Sequence, residues 1–140
     1  MVPQVPIHYL AILVSSVVSM MLGALWYSPL LFGKEWMKLM GIDEKKMKGM
    51  KKKGVAKSYI LGFIGNLITT FVLAHFVRYT GAESFIDGMQ TALLIWIGFV
   101  ATVMLGTILW EGKPVRLYLI NSAYYLVMLL IAGGILAVWV

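Results

Sequence analysis

Apolar residues in this chain gather into four long blocks rather than alternating with polar ones at the period of a soluble helix or strand. The blocks cover about Ile7–Tyr27, Tyr59–Val77, Met89–Leu109 and Leu117–Val140, and none holds an Asp, Glu, Lys or Arg. A hydrocarbon core about 30 Å thick needs about 20 apolar residues in a helix. Lipid offers an open backbone no hydrogen-bond partner, so each block has to be helical. The expected fold is all-α: a polytopic membrane four-helix bundle forming one domain over residues 1–140.

The connector over residues 28–58 has a pattern of its own. Phe32, Trp36, Leu39 and Met40 fall on one face of a helix, and Lys34 and Lys38 fall off it. That spacing predicts a short amphipathic helix lying in the membrane interface between the first two spans. Gly41 should stop it, and Asp43 should cap a second short segment with Met47 and Met50 on one side.

Composition agrees with a membrane protein. The chain has 140 residues, of which 61% are hydrophobic and 13% charged, and its mean hydropathy is +0.87. Soluble domains carry about a quarter charged residues. Absent cysteine removes disulfides, thiolate metal sites and a cysteine nucleophile. The net charge of +6 belongs entirely to one segment, where nine lysines between Lys34 and Lys57 face only Glu35, Asp43 and Glu44. A single basic connector between apolar blocks points to a membrane-facing loop, not to nucleic acid. The positive-inside rule places this loop and the third loop in the cytoplasm and both termini outside. Within the loop, Lys45, Lys46, Lys48, Lys51, Lys52 and Lys53 read either as a topology signal or as a contact for anionic lipid headgroups.

Helices in lipid associate through close packing and polar contacts. Small residues recur every fourth position: Ala11, Ser15, Ser19 and Gly23; Gly62, Asn66, Thr70 and Ala74; Gly98, Thr102 and Gly106; Gly133 and Ala137 beside Gly134. These rows predict tight helix contacts, within one bundle or to a second copy. Gly23 to Trp26 with Pro29 also loosely echoes Gly106 to Trp110 with Pro114, a possible internal repeat.

The run from Gly23 through Trp26-Tyr27-Ser28-Pro29 to Gly33-Lys34-Glu35-Trp36 resembles the signature of a small bacterial four-span membrane family, domain of unknown function 1761. Trp96 to Thr102, Trp110 to Pro114 and Leu119 to Tyr125 fit it too, although members tend to have Phe where this chain has Trp110. The resemblance implies a four-span fold and no particular activity.

Counted at 1.5 Å per residue, Ser19, Asn66, Thr102, Asn121 and Ser122 lie roughly 6–12 Å from the lysine-side ends of their spans. They form an expected polar layer, either interhelical hydrogen bonding or a small-solute site, with Trp26, Tyr27, Glu111 and Lys113 at its cytoplasmic mouth. His8 and His75 fall near the opposite surface as a conceivable haem or metal pair, but span-end histidines read first as interfacial residues, so no cofactor is expected. Catalytic motifs and intramembrane acids are missing from the sequence, which argues against an enzyme and a carboxylate relay. Two functions remain: a small-solute binding or permeation module acting as an oligomer, or an accessory or scaffold subunit holding anionic lipid through the lysine loop.

Overall fold

The computed structural model describes residues 3–139. Met1, Val2 and the Val140 end of the fourth block lie outside the described residues. Eight α-helical segments follow one another: α1 (Tyr9–Trp26), α2 (Gly33–Met40), α3 (Glu44–Lys52), α4 (Ala56–Tyr79), α5 (Phe85–Ile95), α6 (Thr102–Met104), α7 (Gly106–Leu109) and α8 (Val115–Val138). A π-helical stretch over Trp96–Ala101 joins α5 to α6, so that Phe85–Leu109 forms the third long rod. Four helices are long and apolar enough to cross a membrane, Tyr9–Trp26, Ala56–Tyr79, Phe85–Leu109 and Val115–Val138, which makes this a multi-pass membrane protein.

The helices outrun the apolar blocks where polar caps are available. Ser84 and Asp87 form a reciprocal capping box that starts α5 four residues before the apolar window. Pro114 opens α8. In the connector, Gly41 ends α2 in the left-handed conformation at φ 70°, and the Asp43 carboxylate accepts the Lys46 N–H at 2.7 Å to open α3.

α8 is the hub. It packs on α1, α4 and α5, while α4 also touches α1 and, more sparsely, α5. The tightest contact joins α5 to α8. A Cβ added at Gly88 would overlap the Gly133 carbonyl, and one at Gly133 would overlap the Gly88 carbonyl and crowd Ala92. The Phe85 ring covers Gly134 in the same way. Fully buried Ala92, Ala132 and Ala137 continue this small-residue seam. On the other side of the hub, Ala11, Ser15 and Ser19 are buried, and Gly23 lets the Tyr124 hydroxyl approach so closely that a Cβ would sit 3.0 Å from it.

Two small-residue rows pack differently from the expectation. Gly98 has open space before it, Thr102 is exposed, and Gly106 meets only Trp110. Spacing of four shows that residues share a face but not what the face touches. The contact face of the third rod is the opposite one, Gly88 and Ala92, and bulky Trp96 hides that row by continuing it. In α4, Thr70 and Ala74 are buried, whereas Gly62 and Gly65 face open space because this half of the helix has parted from the third rod. The echo between the first and third rods is not structural either: Trp26 turns inward to α8, and Trp110 is 88% exposed.

Both described ends of the chain lie together, with His8 packed at a tilt against Trp139 at 5.6 Å between centroids. α2 and α3 sit at the other end, called here the arm end. At the terminal end, the Arg78 guanidinium donates to the Leu136 and Trp139 carbonyls, each at 3.0 Å. It thereby closes the last turn of α8 from the last turn of α4, where two negative helix ends meet a cation.

Gly88→Val should force α5 off α8 and lower stability by about 1–3 kcal/mol. Gly65→Ala, a Cβ in open space, should be neutral or stabilise by up to about 1 kcal/mol. Thermal unfolding of both variants in one detergent measures the difference.

Candidate functional site

The arm end is built by the turn after α1. Ser28 precedes proline and leaves the helical run. The chain then folds back on itself: the Phe32 N–H donates to the Trp26 carbonyl at 3.0 Å and the Gly33 N–H to the Ser28 carbonyl at 2.9 Å. A Cβ at Gly33 would overlap the Tyr27 carbonyl and the Ser28 backbone, so only glycine fits. α2 therefore lies back under the bundle. Phe32 packs on Trp26 at 4.8 Å and Trp36 edge-on to Tyr27 at 5.8 Å, while Lys34 and Lys38 stay exposed. Glu35 of α2 pairs with Arg116 at the start of α8.

Aromatic donors then tie the spans to α8. Trp26 Nε1 donates to the Ile120 carbonyl at 3.1 Å, and the Tyr27 hydroxyl donates to Asn121 Oδ1 at 2.8 Å. Tyr124 reaches the Ser19 carbonyl at 3.0 Å, and Trp96 Nε1 reaches the Ser122 carbonyl at 2.9 Å. Tyr118 of α8 donates to the Ala101 carbonyl at 2.7 Å, at the end of the π-helical stretch. Each such donor in hydrocarbon needs an acceptor, and irregular backbone there needs donors, so the two demands meet.

The expected polar layer is thus dispersed. The Ser19 hydroxyl is buried and bonded to the Ser15 carbonyl. Asn121 is held by Tyr27, and Ser122 is buried against Trp96. Thr102 faces outward and bonds its own helix at the Gly98 carbonyl. Asn66 differs from the rest. Its side-chain amide makes no hydrogen bond among the described residues, and it borders a cavity. Of the four expected mouth residues, Trp26 and Tyr27 turn inward to α8, while Glu111 and Lys113 are exposed in the third loop. The six lysines Lys45, Lys46, Lys48, Lys51, Lys52 and Lys53 are all exposed on α3 and its C-cap.

That cavity is a groove of about 590 Å³ between α4, the third rod and α8. It exists because α4 and the third rod converge only near the terminal end, where Thr80 and Thr91 share a hydrogen bond of 2.9 Å. Val72, Leu73, Phe76, Ile95, Phe99, Val100, Met104, Tyr125, Met128 and Leu129 wall it, with Asn66 and Thr69 as polar exceptions. A second cleft of about 500 Å³ lies under the arm, lined by Tyr27, Trp36, Met37, Met40, Met47, Met104, Asn121 and Tyr125. Met104 and Tyr125 border both spaces.

His8 and His75 have separate duties. His8 Nδ1 accepts the Ala11 N–H at 3.4 Å as the cap of α1. His75 Nδ1 bonds the Phe71 carbonyl at 2.8 Å, its ring edge-on to Phe71 and Tyr79. Among the described residues no cluster of three or more His, Asp or Glu side chains could hold a metal ion.

Sequence reasoning missed the Ser16–Thr70 hydroxyl pair, which joins α1 to α4 at 2.8 Å, and the Arg78 cap. The doublet Ser15-Ser16 and a lone arginine at a span end were the available signals. The Ser15 hydroxyl is fully buried with no partner among the described residues.

A double-mutant cycle of Tyr27→Phe and Asn121→Leu should return a coupling of about 0.6 kcal/mol, and at most about 1.7, if the pair acts as interhelical glue. Unfolding of the two single variants and the double variant in detergent gives that number.

No curated protein and no solved structure matches the chain. The Trp-Tyr-Ser-Pro turn, the glycine that permits it and the α8 residues that receive it all fall within one family match, which covers residues 10–137. That match is to the model described as Protein of unknown function (DUF1761), and the chain belongs to this family.

Proposed function

We propose that this protein binds a hydrocarbon chain entering sideways from the bilayer, in the groove between α4 and the third rod. The groove carries this reading. It is walled almost wholly by apolar side chains, and it opens where two spans have separated within the apolar part of the molecule. A pathway for a small polar solute has less support, because the Ser19 hydroxyl is bonded within its own helix, Asn121 is held by Tyr27, Ser122 is buried against Trp96, and Thr102 points outward. The Asn66 amide supplies one polar handle in an apolar wall, the usual composition of a site that orients its ligand. The reading involves no catalytic step. The lysine arm supports the cytoplasmic placement of the arm end and of both termini outside.

A second reading fills the same region with a helix of another copy or another subunit. Gly62, Gly65 and Gly98 favour it, since a Cβ at each would meet nothing. This is the oligomer or scaffold role, and it uses the same two spans.

In bilayers of phosphatidylcholine carrying a mid-chain diazirine, light should place adducts on Val72, Phe76, Phe99 and Met104 several-fold above those on Ile60 and Leu94, which are also exposed. Val72→Trp should remove the excess. Equal labelling of all six would overturn the groove reading. The chain lacks cysteine, so Gly62→Cys gives a clean probe. A disulfide-linked dimer with background labelling of the groove would establish the second reading instead. An impermeant amine reagent on intact cells should spare Lys45–Lys53 until the membrane is permeabilised, and labelling before that would invert the sidedness.

A further inference from the structure

We infer that the groove and the cleft beneath the arm are one site for a phospholipid with an anionic headgroup, its chain in the groove and its headgroup at the cleft. The inference rests on the groove reading and adds the ligand's class. Three observations carry it.

The first is continuity. Met104 and Tyr125 border both spaces, so the groove leads to the arm end with two side chains at the junction. Methionine is unbranched and flexible, and a wall of this kind adapts to what lies against it. From Phe76 to Asn66 the groove follows ten residues of α4, about 15 Å at 1.5 Å per residue. It therefore runs along the helix axes, as a lipid chain does, rather than across them.

The second is the change in lining. Phe76, Leu73 and Ile95 close the deep end with hydrocarbon. The cleft adds Asn121, Tyr27 and Trp36, groups suited to the level where chain meets headgroup. The order from apolar to amphipathic is the order along a phospholipid.

The third is charge. α3 contributes Met47 to the cleft wall, and the same short helix carries Lys45, Lys46, Lys48, Lys51 and Lys52, all exposed. Among the described residues the one ion pair is Arg116 with Glu35, so no lysine of the arm is neutralised by an acidic partner. Cations beside an apolar groove favour a headgroup of net negative charge over a zwitterion, whose phosphate diester already carries its own cation. The fold holds α2 in place through Gly33 and the Arg116–Glu35 pair, and α3 follows it after only three residues.

The test uses the full chain in detergent, offered equal amounts of phosphatidylglycerol and phosphatidylcholine with identical chains, and reads retained lipid by native mass spectrometry. Phosphatidylglycerol should be retained preferentially, and the preference should fall about five-fold for each engaged lysine removed in the series Lys45→Gln, Lys46→Gln, Lys48→Gln. Retention of phosphatidylcholine should stay unchanged in that series. A phosphatidylglycerol with an aryl azide in its headgroup should label Trp36, Met37 or Met47. Equal retention of the two lipids, or headgroup adducts elsewhere, overturns this inference while chain adducts in the groove leave the groove reading standing. Loss of chain adducts as well overturns both. Inorganic phosphate in large excess should not displace the lipid. If it does, the lysines serve a free anion and the inference fails.

Discussion

Helices in hydrocarbon gain nothing from hiding apolar surface from one another, so contact has to come from backbone approaching backbone. In this protein that approach is made at Gly88 and Gly133, whose carbonyl oxygens occupy each other's missing side-chain space. The contact fixes α5 against α8, and α8 then serves as the post on which α1 and α4 are also hung. Every other feature of the bundle is set relative to that pair. The groove is what remains where the third rod, held by α8, leaves α4 without a partner.

The second principle of construction is that polar atoms are spent on backbone. Of the aromatic donors among the described residues that reach another span, Trp26, Trp96, Tyr118 and Tyr124 donate to carbonyl oxygens and Tyr27 to a side chain. Aromatic rings suit this task, since they add apolar area to the packing and bring a single donor that is easily satisfied. The family signature takes on physical content here. Its tryptophan and tyrosine are the donors, its proline ends the helix, and its glycine admits the Tyr27 carbonyl. A motif with this explanation marks how the chain turns at the membrane surface.

The rods, the arm, the stop at Gly41 and the cap at Asp43 were all legible in the sequence, because hydropathy over 20 residues and local cap chemistry do not depend on what lies across the bundle. Counting along the spans also brought Ser19, Asn66, Asn121 and Ser122 to attention, but azimuth was not legible. Thr102 shares their depth and faces away, and Gly98 shares the spacing of Gly88 and meets nothing. Hydrophobicity cannot orient such a helix, because its lipid face and its buried face are equally apolar. Contacts across long sequence separations, such as Glu35 with Arg116 or Ser16 with Thr70, were invisible for the same reason.

The π-helical stretch over Trp96–Ala101 has a mechanical consequence. A regular rod bends as a whole, with strain shared among many peptide bonds. This one is interrupted just where Phe99 and Val100 face the groove, and Tyr118 from α8 donates to the Ala101 carbonyl where the stretch ends. The short segments Thr102–Met104 and Gly106–Leu109 beyond it are joined by a further irregular turn at Leu105. The third rod is consequently jointed: its direction is set by the glycine contact with α8 above the joint and separately by the Tyr118 hydroxyl at its end.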